Sequence, residues 1–150
     1  MNNSELNLPH PDQSIGFSLW QTFMIWNRKI NNALAAIELT HTQFVLLAGL
    51  GWLLKEKEPV SQIRLAEEAR TDPMMTSQVL RTLEKKGLIT RAPHPDDSRA
   101  KEIKLTNYGT EMLSHALTAV QKIDEDYFGV LEESRKSFHW NMNELIIKNL

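Results

Sequence analysis

The sequence contains no cysteine. A disulfide framework, a thiolate metal site and a thiol redox switch are therefore excluded. No apolar run approaches the roughly 18 residues that a membrane-crossing helix needs. The first 15 residues, MNNSELNLPHPDQSI, lack the basic-then-apolar layout of a signal peptide. A cytoplasmic protein with no membrane partner is the expectation. Internal repeats, linkers and low-complexity tracts are also missing. Catalytic patterns are scarce. The five histidines (His10, His41, His94, His115, His139) are scattered, with no His-Glu pair at metal-ligand spacing. There is no nucleophile elbow and no glycine-rich phosphate loop. Asp124, Glu125 and Asp126 are consecutive on an expected helix and so diverge. No enzyme, metal or cofactor is expected.

What is present is a chain of 150 residues, 41% hydrophobic and 24% charged, enough for one domain with its own core. The net charge of −2 hides an asymmetry. Residues 55–106 carry eleven Lys/Arg against nine Asp/Glu, whereas residues 107–150 carry four against seven. So small an excess is equally the mark of a solvated mixed-charge surface. Where the cations sit must decide it.

The middle of the chain reads as closely spaced short elements. Thr40-His-Thr-Gln43 fits a capping box. The helix it opens carries Phe44, Leu47, Leu50 and Leu54 on one stripe and stops before Pro59. Ser61 is placed to cap a short helix over 62–69 that buries Leu65, Ala66 and Ala69, with Val60 and Leu65 spaced as a hydrophobic staple. Asp72-Pro73 then reads as a cap followed by proline at the first helical position. That helix runs to Lys86 and ends at Gly87, with Leu83 and Leu88 spaced for the apolar contact of a left-handed ending.

Two helices so joined form a helix-turn-helix unit. In PMMTSQVLRTLEKKG, Val79, Leu80 and Leu83 face inward, with Thr76 grazing the core. The other face presents Met74, Met75, Ser77, Gln78, Arg81, Thr82 and Lys85. Glutamine can pair with adenine and arginine with guanine, while serine and lysine reach phosphates, so the face suits the DNA major groove. An ordinary solvated helix would use similar residues. Leu88–Arg91 and Lys101–Leu105 read as two strands, the second with Ile103 and Leu105 inward and Glu102 and Lys104 outward. They bracket APHPDDSRA, a proline-stiffened loop. Asp97 is placed to pair with Arg99, and an arginine held at such a tip can enter the narrow minor groove. The alternative is a surface turn with a weak ion pair.

The order LTHTQFVLLAGL, IRLAEEARTDPMMTSQVLRTLEKKGLITR and PDDSRAKEIKLTNYGTEML resembles the MarR family of winged helix-turn-helix transcriptional regulators, from about Phe17 to Leu113. Leu83–Ile89, Asp97-Ser98-Arg99, Leu105-Thr106 and Gly109 carry the likeness. The resemblance implies a mainly α fold with a small β-wing. It also implies a dimer on a pseudo-palindromic double-stranded operator, usually a repressor released by a small ligand or an oxidant. It puts Arg99 at the wing tip, with Asp97 orienting it. Two departures stand out: Gln78 replaces an arginine common in the family, and Met74-Met75 replace smaller polar residues. The DNA-contacting residues expected are Met74, Met75, Ser77, Gln78, Arg81, Lys85, Arg99 and Lys101. A winged-helix module for protein–protein contact is the alternative; Arg81, Lys85, Arg91, Arg99, Lys101 and Lys104 argue for DNA.

The ends of the chain argue for a dimer independently. Over 17–37, Trp20, Phe23, Ile30, Leu34 and Ile37 form one stripe and Leu19, Trp26 and Ala33 another, where a monomer's surface helix needs one. A helix over 107–131 would span about 37 Å, longer than a domain of this size needs. A last helix over 134–149 carries Phe138, Met142, Leu145 and Ile146 on one side and Trp140 and Ile147 on another. The expected division is one domain, with dimerisation helices over 15–37 and 107–150 around a winged helix-turn-helix lobe over 40–106. Trp20, Phe23, Met24, Trp26 and His41 suit a flat aromatic or apolar effector, and equally suit core and dimer packing. Oxidation at Met24, Met74 or Met75 is the redox chemistry left open.

Overall fold

The computed structural model describes residues 10–97 and 99–150. Ser98 of the Asp-Ser-Arg stretch, and most of the segment compared with a signal peptide, lie outside them. Six α-helices and one hairpin are described: α1 (Ile15–Ala35), α2 (His41–Leu53), α3 (Gln62–Ala69), α4 (Pro73–Lys85), β1 (Ile89–Pro93), β2 (Lys101–Leu105), α5 (Asn107–Phe128) and α6 (Arg135–Lys148). Among these residues no helix is long and apolar enough to cross a membrane.

Local chemistry sets the helix starts. The hydroxyl of Thr40 accepts from the Gln43 amide at 3.2 Å while the Gln43 side chain accepts from the Thr40 amide, closing the capping box. Ser61 and Asp72 cap α3 and α4 through the side-chain acceptor alone, at 3.2 and 2.9 Å. Helix α4 ends as expected: Gly87 takes φ +72°, and the Leu88 amide donates to the Leu83 carbonyl at 3.0 Å. Strands β1 and β2 are antiparallel, with Ile89 opposite Leu105 and Pro93 opposite Lys101. The first strand thus starts one residue later and ends two later than the sequence suggests. Pro93 is tolerated there because it terminates the ladder. The Ile103 amide donates to the Val60 carbonyl at 2.8 Å, tying the segment before α3 to the hairpin.

One core runs through Ile30 and Leu34 of α1, Phe44, Leu46, Leu47 and Leu50 of α2, Leu65, Leu80 and Leu83, Ile103, and Leu113, Ala116 and Val120 of α5. Helix α2 is central and buried on several sides. A single stripe was expected there, so Leu46 and Leu53 were missed, while Leu54 is only half-buried. Ala69 and Val79 are likewise half-buried, and Thr76 is wholly enclosed instead of grazing the core. Its hydroxyl lies 2.7 Å from that of Thr71 and donates to the Asp72 carbonyl at 2.9 Å, which satisfies it.

Gly109 marks the tightest joint. Thr106 caps α5 and donates its hydroxyl to the Gly87 carbonyl at 2.6 Å, which brings α5 hard against the end of α4. A Cβ at Gly109 would lie 1.9 Å from the Leu88 carbonyl oxygen. Helix α5 stops at Phe128, three residues short of the expected end. A tight-turned stretch, Gly129–Ser134, follows, with Glu132 at φ 47°.

Candidate nucleic-acid interface

Helices α3 and α4 are joined by Arg70, in a left-handed conformation at φ 51°, then Thr71 and Asp72. The turn sets the inward face of α4 against the core and leaves the opposite face bare. Met74, Met75, Gln78, Arg81 and Lys85 are exposed on it, with Thr82, and Ser77 is half-buried. The loop 94–100 between β1 and β2 is closed by backbone bonds, His94 amide to Ala100 carbonyl at 3.1 Å and Ala100 amide to Asp97 carbonyl at 3.0 Å. Asp97, Arg99 and Lys101 are exposed at or beside its tip. Asp97 acts differently from expectation: its Oδ1 accepts from the backbone amide of Arg99 at 2.9 Å. It shapes the turn that presents Arg99 and does not grip the guanidinium.

Pairing divides the cations. Arg91 Nε donates to Glu84 Oε2 at 2.9 Å, a contact that also binds the hairpin to α4. The guanidinium holds the Glu84 carboxyl below its usual range by hydrogen bonding. Lys104 pairs with Glu102 at 3.0 Å, and Arg64 with Glu56 and Glu58. Arg91 and Lys104 are therefore charge-paired, with α4 and within the hairpin respectively. Arg81, Lys85, Arg99 and Lys101 form no salt bridge among the described residues, and all four lie on the exposed face of α4 or on the wing.

A cleft of about 390 Å³ separates the wing from the start of α3, lined by Ser61, Gln62, Arg91, Arg99 and Lys101 among others. The sequence reading missed Ser61 and Gln62 as neighbours of the wing. The cap signal at Ser61 located the helix start but carried nothing about what stands opposite.

The aromatic cluster proposed for an effector is only partly assembled. Trp20, Phe23 and Met24 are exposed on α1. Trp26 turns inward, its ring 5.0 Å from His41 and 6.3 Å from Phe23, and its Nε1 donates to Asp124 Oδ1 at 2.8 Å. His41 Nδ1 lies 2.7 Å from Asn27 Oδ1. That oxygen also accepts from Asn31, which assigns the proton to His41 Nδ1. Burial lowers the His41 pKa, opposed by the Asp124 charge. The cavities nearby have other walls. One of about 360 Å³ is lined by Thr22, Tyr127, Phe128, Val130, Leu131 and Phe138. Another of about 550 Å³ includes Asp124, Phe128, Arg135 and His139. Among the described residues, no cluster of three or more histidine and carboxylate side chains could hold a metal.

Comparison with known proteins agrees with this geometry. Residues 39–101 match the model of the MarR family. The uncharacterised HTH-type transcriptional regulator YdcH of Bacillus subtilis is 42% identical over 136 residues, 91% of this chain and 92% of that one. A probable transcriptional regulator from Pseudomonas aeruginosa superposes with a TM-score of 0.80 at 28% identity, covering 91% of this chain and 99% of that one. The repressor CouR of Rhodococcus jostii, solved on a 23-mer DNA duplex, shares the fold at a TM-score of 0.79 and 24% identity, over 96% of this chain and 99% of that one. CouR has also been solved with p-coumaroyl-CoA.

Proposed function

The chain belongs to the MarR family of winged helix-turn-helix transcriptional regulators, and from that premise we propose that it acts as a homodimeric repressor on a pseudo-palindromic operator. In this reading α4 lies in the major groove, with Gln78 and Arg81 on base edges and Ser77 and Lys85 on the backbone. Arg99 enters the adjacent minor groove, and Lys101 contacts phosphate. The observation that carries the reading is the placement of four exposed cations without an ion pair among the described residues, Arg81, Lys85, Arg99 and Lys101, on the outward face of α4 and the wing. The DNA-bound form of CouR, a protein of the same fold, supports it.

The second copy is inferred from bare apolar surface. Leu19, Trp20, Phe23 and Ile25 of α1 and Trp140, Leu145 and Ile147 of α6 are all exposed. Apolar faces of this kind favour burial against a partner. We assign residues 15–37 and 107–150 to that dimer and 40–106 to the DNA lobe. Two α4 helices related by a two-fold axis would read half-sites about 34 Å apart. An aromatic acid or drug-like apolar effector beside Phe23, Trp26 and His41 would release the operator by favouring a wing spacing that does not fit. That requires about 1–3 kcal/mol of coupling.

Capture of genomic fragments at two salt concentrations tests the core of the reading. A discrete set of palindromic fragments is expected. Gln78→Ala or Arg81→Ala should then cost about 1–3 kcal/mol at particular bases. Operator affinity unchanged in both Arg81→Ala and Arg99→Ala excludes the assignment.

A further inference from the structure

Met74 and Met75 are the second and third residues of α4, and folding makes little use of them. Met74 is 74% exposed and Met75 39%, while α4 buries Thr76, Leu80 and Leu83. Their local bond is made by the backbone: the Met75 amide donates to Asp72. The chain has no thiol to compete for an oxidant, so its thioethers are the sulfur centres available. Met24 is exposed on the apolar face of α1 assigned to the dimer, and Met112 and Met142 are half-buried. Two accessible thioethers thus stand together at the start of the helix that faces DNA.

We propose that Met74 and Met75 form an oxidation-sensitive pair whose conversion to sulfoxides by a hypohalous acid weakens DNA binding, and whose reduction restores it. The inference rests on the placement of α4 against DNA. In the oxidation, a sulfur lone pair forms an S–O bond with the oxygen of hypochlorous acid. The O–Cl bond breaks, chloride and a proton leave, and sulfur gives up the two electrons the oxidant gains. Methionine sulfoxide reductases reverse the step, oxidising a dithiol to a disulfide and releasing the oxygen as water. A thioether can lie against a thymine methyl or a sugar. A sulfoxide is polar, holds water and turns a partly negative oxygen towards phosphates. Neither side chain belongs to the core, so the change stays at the surface.

The test uses the full chain and a fluorescent duplex that the unoxidised protein selects from a random-sequence pool. After treatment with a few equivalents of hypochlorous acid, sulfoxide at Met74 and Met75 should accompany a loss of affinity of about tenfold or more, with the thermal melt unchanged. Both stereochemical classes of reductase together should restore binding. The Met74→Leu/Met75→Leu variant, whatever its starting affinity, should change little on the same treatment, and Met24→Leu should remain as sensitive as the parent. Complete sulfoxide formation at both residues with unaltered affinity overturns the proposal. An equal loss in the double-leucine variant overturns it too. Failure of the unoxidised protein to select any duplex overturns the DNA placement of α4, and this inference with it.

Discussion

Helix α2 buries six of its thirteen residues, whereas α6 fully buries none, although both are rich in apolar side chains. The lobe around α2 closes its core with its own residues together with Ile30, Leu34, Leu113, Ala116 and Val120 of α1 and α5, and turns polar and cationic groups outward. The terminal helices leave tryptophan, leucine and isoleucine bare. A chain folding alone gains nothing from the second arrangement, since burial of apolar area is the main favourable contribution to folding. The difference is what the proposed function requires of two regions with different partners, a polyanion for the lobe and an apolar surface of their own kind for the arms.

The largest expected effect follows from the arms. Deleting residues 134–150 should leave insoluble or unfolded protein, because the remaining apolar faces lose their counterpart. Sedimentation and circular dichroism check this, and a soluble, folded monomer would break the comparison.

Within the lobe, Gly109→Ala should destabilise by about 3 kcal/mol, because the new methyl must displace the Leu88 carbonyl or move α5. Urea unfolding measures it. A loss below half that size would mean that the joint between lobe and arm gives way more easily than its geometry suggests.

The sorting of cations predicts a smaller contrast. Arg99→Gln should reduce the salt dependence of DNA binding by about one unit of slope for each phosphate left without its cation. Arg91→Gln should leave that slope nearly unaltered, because Glu84 already neutralises Arg91. Equal slopes for the two variants would erase the distinction between paired and unpaired cations.

The smallest effect lies at the join between arm and lobe. Burial lowers the pKa of His41 in the folded protein, so the unfolded chain binds that proton more readily. The neutral form therefore contributes stability above the unfolded value, about 6.5, and loses it as pH falls through the folded value. Urea midpoints across that window should fall less steeply in His41→Gln than in the parent. Parallel curves would remove His41 from the account.

Much of this was legible because it is local. Thr40, Ser61 and Asp72 bond to amides three residues ahead, and Gly87 needs only its own conformational freedom, so spacing alone revealed those helix ends. The alternation of Ile103 with Glu102 and Lys104 showed the hairpin for the same reason, since a strand's period is two whatever lies beyond it. Other features depend on residues that folding brings together. Arg91 and Arg99 are the same residue type eight positions apart. Only the return of β1 along α4 makes one the partner of Glu84 and leaves the other at the tip. Leu46 and Leu53 read as off-stripe until α3, α4 and α5 surround α2. The Trp26–Asp124 bond spans 98 positions, and no periodicity reports it. The sequence by itself determined the elements, their order and which faces are apolar, because propensity, capping and periodicity act over a few residues. The tertiary structure alone decided which cations remain unpaired and which apolar faces stay bare, because neutralisation and burial depend on what is near in space.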